Sequence, residues 1–594
     1  MQQPIAVCSF TCRIYRDNKM RQITDSFEVG QTDTGPAGQR AHPEVIEQSS
    51  RLVEKLYKLG ENAWTYVGNG LSNQSFVEGP EGLIVIDTGE CVEEMEAALS
   101  AIRQETQAPI VACIYSHFHY VSGTTAVIKA SGNDDLPVFG HEGIEGNLRR
   151  FGGEVGPRSA RGLIHQFAVM LPEEGPDGLV NVGLGRFLRN PKHAPFTHGH
   201  VPAQNTITKS TEFKIAGLKV RLDPAPSDST DSITIWFPEL KLAINNLLWP
   251  ALFNVFAIRG EEYRDPRILL NGLDELDELG ADYLMGSHGP PIEGSQLIHN
   301  SIINYRDSIQ FMWDQTVRGA NLGLTLDELT SFVQLPAHFK KSYLTTQLYG
   351  LVEHHVRQIY NGLFGWFDED ESKLFPSPER TLKLIAGFGG KPNVRSAIDT
   401  AIIDGDYRWA IELSTWLVRC EQNAAGRSDA GDQQDRNRLA RSLRGVAEST
   451  TSTNVRNWCL TRALELEGSL SLERFRGHRF GAAAILSRPA IDSIPVLKVL
   501  LSPERAADFN QEIRITFEDE SSAGLRIRNQ VAVPTDGSHA ELTLTISHQQ
   551  WAHILAGKAK LDQSLTEPGV EVTPGKEEIL QFFNCFDLES LRSA

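Results

Sequence analysis

The sequence predicts an α/β layered fold that continues into a helical region and ends in a small α+β domain. Three observations carry this. Between Trp64 and Gly289, short β-rich runs alternate with helical spacing of apolar residues. Long amphipathic helices take over near residue 295, and period-two strands return after about residue 470. At 594 residues the chain is too long for one hydrophobic core, so two to four domains are expected.

Residues 1–45 are polar and turn-rich, with QTDTGPAGQRAHP the loosest part, and read as an extended arm. WTYVG, SFVEG and GLIVIDTG follow as short strands separated by Gly and Asn turns. VEEMEAALSAIRQET has helical spacing, and PIVACIYSH returns to a buried strand. Strand, helix and strand with polar residues emerging after the second strand place a site at strand ends. The alternation continues through KVRLDPAPSDSTDSITIWFP and KLAINNLL to ADYLMGSHG, giving a first domain over 46–300. Helical patterns fill 301–467, including LIHNSIINYRDSIQFMWDQTVR, LTLDELTSFV and TTQLYGLVEHHVRQIYNGLFGW. Within them EQNAAGRSDAGDQQDRN reads as a mobile loop. EIRITF, LRIRNQVAV and ELTLTIS are strands and WAHILAG and KEEILQFFNCF short helices of a terminal domain, 468–594.

Apolar residues make up 40% and charged residues 22%, an ordinary globular composition. The net charge of −19 is spread along the chain, so no basic stripe is available for nucleic acid or an anionic membrane. An acidic surface also slows an anionic substrate unless the pocket is locally positive. The seven cysteines are odd in number and scattered, which points to reduced thiols in the cytoplasm. Cys8 and Cys12 have no second pair nearby, so no zinc knuckle is expected. No secretory signal is evident at the N-terminus, and no run approaches the roughly 18 apolar residues of a membrane span.

The stretch IYSHFHYVSG carries the chemistry. In an extended loop His117 and His119 point the same way and could bind one cation, which needs one or two further ligands.

GNGLSNQSFVEGPEGLIVIDTGE, IYSHFHYVSGT, SDSTDSITIWFPELKLA, LFNVFAIRGEEYRD and LMGSHGPP, in that order, resemble the metallo-β-lactamase-fold alkylsulfatases, the type III alkyl sulfatases. The resemblance implies an αββα sandwich, an all-α dimerisation domain and a sterol-carrier-protein-2-like C-terminal domain that supplies apolar surface. It implies a homodimer acting on a hydrophobic anionic small molecule with two zinc ions. His117 and His119 fall on first-metal histidines, Asp228 on a first-metal glutamate and His288 on the late second-metal histidine. Arg259 falls on a sulfate-contacting arginine, and Asp87 on the buried aspartate that supports the metal loop.

The departures are large. Val121 and Ser122 stand where the family has Asp and His, and Asn246, or Asn245 if the alignment slips by one, replaces the bridging glutamate. The expected site therefore holds one Zn2+ or other divalent metal on His117, His119 and Asp228, with the second metal lost. His288 and Tyr120 are the candidate acid–base groups, and Arg259, Asn246, His198 and His200 the candidate pocket residues. Other readings remain open: Asp231 as the ligand in place of Asp228, Arg259 paired with Glu261 or Asp265 at the surface, and His288 as a structural histidine. Hydrolysis is the expected chemistry. The alternatives are a lyase, isomerase or cyclase of specialised metabolism, and a metal-free binding scaffold. His354 and His355 are expected to pack within the helical region, and no G-x-S-x-G elbow supports a serine triad.

Overall fold

The computed structural model describes residues 26–592 except 28, 152 and 421–431. Most of the N-terminal arm, Cys8 and Cys12, and the first part of EQNAAGRSDAGDQQDRN therefore lie outside the described residues.

The first domain is two sheets packed face to face. One contains seven strands in chain order: β1 (Lys55–Leu59), β2 (Ala63–Val67), β3 (Gln74–Gly79), β4 (Gly82–Ile86), β5 (Ile110–Ile114), β6 (Val138–His141) and β7 (Asn205–Ile207). The first four form an antiparallel meander, and β4 to β7 are parallel. The second contains β8 (Thr211–Ile215), β9 (Leu218–Pro224), β10 (Ile233–Phe237), β11 (Leu242–Asn245), β12 (Tyr283–Gly286) and β13 (Ile292–Glu293), with β11 and β12 parallel.

Strand alternation builds the layers. Ile235, Phe237, Leu242 and Ile244 join Ile84, Ile86, Ala112 and Ile114 in the core between the sheets. The intervening Trp236 and Ala243 turn the other way, into a core shared with helices α3 (Pro266–Glu278) and α4 (Ser295–Asn321). With both faces covered, β10 is buried at every position, which explains its continuous apolar run. Helices α1 (Val92–Ile102) and α2 (Thr124–Ser131) follow β4 and β5, α1 burying Met95, Ala98, Leu99 and Ile102. Asp265 caps α3 by accepting from the backbone N–H of Arg267, with Pro266 fitted to the first turn.

The helical region continues through α5 (Leu326–Phe332), α6 (Val352–Phe364), α7 (Lys391–Ile403), α8 (Tyr407–Arg419), α9 (Gln433–Ser449) and α10 (Thr453–Glu467). One expectation is corrected: TTQLYGL does not open a helix. Leu348 O accepts from Thr453 N and Oγ1, Tyr349 O accepts from Ser452 Oγ at 2.6 Å, and Thr346 O accepts from Leu252 N. These partners satisfy backbone groups that a helix would otherwise pair internally. Likewise the end of the expected loop, from Gln433, is the first turn of α9, capped by Asp432.

Close packing gathers the chain up to Ile144 and Gly162–Ser471 into one unit, so the helical region shares a unit with the sandwich. The other unit combines Glu145–Arg161 with the chain from Leu472 onward. Its sheet contains β14 (Gln511–Thr516), β15 (Ser522–Arg528), β16 (Val531–Thr535), β17 (Leu542–Thr545) and β18 (Glu571–Thr573), in the order β16-β15-β14-β17-β18. Ile513, Ile515, Leu525 and Leu544 pack there against Trp551, Phe582 and Phe583 of the C-terminal helices. No described helix is long and apolar enough to cross a membrane.

Candidate functional site

The sandwich brings its polar residues together at strand ends. Asp87 follows β4, Ser116 to Tyr120 follow β5, Asn246 follows β11, and Ser287 and His288 follow β12. Asp228 lies in the connection from β9 to β10. Ile233 N donates to Ser116 O at 2.9 Å, tying the second sheet to the histidine loop.

Asp87 takes a left-handed backbone conformation (φ 57°), which Asp adopts more readily than most residues. Its carboxylate accepts from Ser116 N at 2.7 Å and Ser116 Oγ at 2.6 Å. Burial pushes this carboxyl up to about 7, with the Ser116 bonds opposing and Asp231 adding to the rise. Ser116 Oγ also lies 2.8 Å from His117 Nδ1, so the chain Asp87–Ser116–His117 orients the ring and leaves Nε2 facing inward.

Asp228 meets both histidines: Oδ1 is 3.8 Å from His117 Nε2, and Oδ2 is 3.2 Å from His119 Nδ1. One donor atom from each of the three lies within 4.8 Å of the others, and among the described residues no second group of three or more His, Cys, Asp or Glu shares that property. Two imidazole nitrogens and a carboxylate suit zinc or a similar divalent cation, so the residues fit the metal. Burial pulls the His117 ring down to about 4, so the neutral ligand form holds at neutral pH. Burial works against charge on Asp228, but His117, His119 and Arg264 outweigh it and hold the carboxyl well below its ordinary value.

Asn246 is buried beside this cluster. Its Nδ2 lies 2.7 Å from Asp228 Oδ1, 3.0 Å from Ser227 Oγ and 3.3 Å from His117 Nε2. Its Oδ1 accepts from the indole Nε1–H of Trp249 at 3.1 Å, which fixes the amide with its donor end toward the cluster. Asn245 closes its own loop instead, accepting from Leu247 N and Leu248 N and donating to Met285 O. Asp231 accepts from Ser229 Oγ at 2.5 Å, and Asp228 is the carboxylate that meets the two histidines.

His288 is buried on the far side of Tyr120. Its Nδ1 lies 3.0 Å from the carbonyl oxygen of Leu71, so that nitrogen carries the proton and Nε2 accepts from Tyr120 Oη at 3.3 Å. Burial pulls the His288 ring down to about 4 and pushes the Tyr120 phenol well up.

Arg259 is buried, not at the surface: its Nε donates to Glu261 Oε1 at 2.7 Å, and its Nη2 reaches the same oxygen. Asp265 pairs with Arg267. Arg264 Nη2 meets the second oxygen of Glu261, and Oε1 lies 3.9 Å from His119 Nε2. Burial raises the Glu261 carboxyl, and Arg259 and Arg264 bring it below its ordinary value. The HGH stretch runs along the histidine loop, Gly199 N donating to Ser122 O at 2.7 Å. His198 is exposed, and His200 packs 5.9 Å from the Tyr115 ring.

Ser116, Trp249, Glu261 and Arg264 escaped the sequence reading as site residues. Ser116 sits inside IYSHFHY, and Glu261 and Arg264 inside AIRGEEYRD; their adjacency to candidate ligands was the available signal.

The sandwich and its His–His–carboxylate cluster define a hydrolase of the metallo-β-lactamase superfamily, whose family matches residues 67–208. The alkyl sulfatase dimerisation family matches residues 325–469, and the alkyl sulfatase C-terminal family matches 492–591. A linear primary-alkylsulfatase of Pseudomonas sp. (strain ATCC 19151) is 33% identical over 540 residues, 86% of this chain and 98% of its own length. The chain belongs to the alkylsulfatases of the metallo-β-lactamase superfamily. An (R)-specific secondary-alkylsulfatase of Pseudomonas sp. is 26% identical over 566 residues, covering 92% of this chain and 82% of its own. The fold matches the stereoselective inverting sec-alkylsulfatase Pisa1 from Pseudomonas sp. with a TM-score of 0.81 at 23% identity, over 93% of this chain and 88% of that one.

Proposed function

We propose that this chain hydrolyses sulfate monoesters of hydrophobic alcohols, using one divalent cation, zinc by its donor set, held by His117, His119 and Asp228. The convergence of those three donor groups within 4.8 Å is the observation that carries the reading. Val121 and Ser122 offer no ligand of comparable strength in the same loop, which favours one cation over two. The activities of the two Pseudomonas relatives, a linear primary-alkylsulfatase and an (R)-specific secondary-alkylsulfatase, support an alkyl sulfate as substrate class.

When bound, the cation supplies Lewis-acid polarisation of a substrate oxygen. The protein's own groups do the rest. Asp87 and Ser116 hold His117 in the ligating tautomer. The Asn246 amide donates toward the cluster and steadies the Asp228 carboxylate. Arg259 is the guanidinium nearest the sulfate head, and it meets that head only with what its pairing to Glu261 leaves. Hydrolysis consumes water and releases an alcohol and hydrogen sulfate. The proton freed on adding water passes through the Tyr120 hydroxyl to Nε2 of neutral His288 and returns by the same path to the departing alkoxide oxygen, so alcohol and hydrogen sulfate take both protons of the water.

We also propose a homodimer formed through residues 301–467 and a cytoplasmic setting. The dimerisation family match supports the first, and the free thiols of Cys91, Cys113, Cys420, Cys459 and Cys585 support the second. Elemental analysis is expected to find about one zinc per chain, and sulfate release from a medium-chain alkyl sulfate is expected to stop on chelation and in His117→Ala. Two zinc ions per chain, or hydrolysis that survives both treatments, would overturn the reading.

A further inference from the structure

Resting on the reading of Arg259 as the site's anion-binding group, we infer that Glu261 is a built-in occupant of the anion position and sets the site's selectivity against sulfate. Both Arg259 Nε and Nη2 are committed to Glu261 Oε1, and Arg264 Nη2 takes Oε2. Arg259 and Arg264 are buried and Glu261 is nearly so: 8% of Arg259, 11% of Glu261 and 4% of Arg264 is exposed. The carboxylate thus fills the planar fork that a guanidinium presents to a sulfate oxygen pair. It also borders the His117–His119–Asp228 cluster, 3.9 Å from His119 Nε2.

The segment that carries Glu261 is held firmly. Arg259 N donates to Gln166 Oε1 at 3.1 Å, and Gly162 packs directly on the Arg259 backbone, where a Cβ would stand 2.2 Å from the carbonyl oxygen. Arg264 Nη1 donates to Asn254 O at 2.6 Å, and Gly362 makes room for the Tyr263 ring. Glu261 therefore has little freedom to swing aside. An incoming sulfate brings a charge of the same sign, and a displaced Glu261 would be a buried carboxylate stripped of both partners. The fork stays filled, free sulfate binds weakly, and the hydrolysis product is not retained there.

Sulfate binding to the full-length, chelator-treated protein tests this without metal or turnover, so failure of the metal or hydrolysis reading leaves the result legible. Calorimetry and thermal unfolding are run with sodium sulfate against sodium chloride at matched ionic strength. Glu261→Gln and Glu261→Ala are expected to bind sulfate at least about tenfold more tightly than the parent chain, with sulfate-specific stabilisation that Arg259→Ala abolishes in the same background. Equal or weaker sulfate affinity in both Glu261 variants would overturn the inference. Should neither variant fold, the parent chain decides: sulfate binding unchanged by Arg259→Lys supports a filled fork, and a tenfold loss refutes it.

Discussion

A serine hydroxyl joins the buried Asp87 carboxyl to the first metal-facing imidazole, and that link sets what the imidazole can do. Without Ser116 Oγ, Asp87 keeps only the 2.7 Å bond from Ser116 N, and His117 Nδ1 loses its 2.8 Å partner. Ser116→Ala is therefore expected to weaken zinc binding about 10- to 100-fold, the usual scale for an outer partner of a ligating histidine. Competition with a chromogenic chelator measures it, and unchanged affinity would show that the ring is oriented by packing alone. His117 and His119 were legible in the sequence because they follow a strand whose apolar run is unmistakable, whereas Asp228 and Asp87 came only with the resemblance to the alkylsulfatases, which left Asp231 open as the ligand. The choice between Asn245 and Asn246 was not legible, because two adjacent amides differ only in which way the end of β11 turns them. In the sequence Glu261 shows only as a candidate surface partner of Arg259, since burial of an ion pair is a property of the loops packed over it and leaves no mark on local composition.

Helices in this chain follow two different rules. Those packed in the first unit show the apolar spacing that predicted them, as in α4, where Ile298, Ile302, Tyr305, Ile309 and Met312 recur on one face. TTQLYGL carries comparable apolar residues yet forms no α-helix, because neighbouring segments supply its hydrogen bonds and overrule local preference. Between α6 and α7, and at the last residue of α7, some large apolar side chains face water instead: Trp366 is 66% exposed, Phe375 93% and Ile403 82%. Large apolar side chains left in water within the dimerisation-family region are what a partner copy would cover. Phe375→Glu and Trp366→Glu are expected to weaken self-association at least tenfold, without shifting the far-ultraviolet circular dichroism of the monomer. Sedimentation velocity across a dilution series reads the outcome, and an unaltered dimer in both variants would move the interface elsewhere.

Over the whole molecule, imidazoles buried in the neutral form lower acid stability, while the carboxyls of Asp87, Glu90 and Glu94, pushed up by burial, act the other way. His355 is fully buried on α6, its Nδ1 accepting from Phe256 N at 3.3 Å, and it lies outside the metal cluster. Burial, with His354 and Arg264 nearby, pulls its pKa from 6.5 to about 3. Above pH 6.5 the ring is neutral in both folded and unfolded chains, so its contribution to stability is full there. As pH falls below 6.5 the unfolded chain takes up a proton that the folded one refuses. Stability is then lost at up to about 1.4 kcal/mol per pH unit until the ring protonates in the fold near 3. His117 and His288, each pulled down to about 4, add the same sign in metal-free protein. Urea unfolding of the chelated protein between pH 7.5 and 5 reads the sum of these opposing contributions, and the difference between the parent chain and His355→Gln isolates that of His355. His355→Gln should be less stable at pH 7.5 yet lose less on acidification, because the substituted side chain does not titrate in that window. A slope identical to the parent chain's would mean that His355 already protonates in the fold, against its burial between α6 and the Phe256 loop.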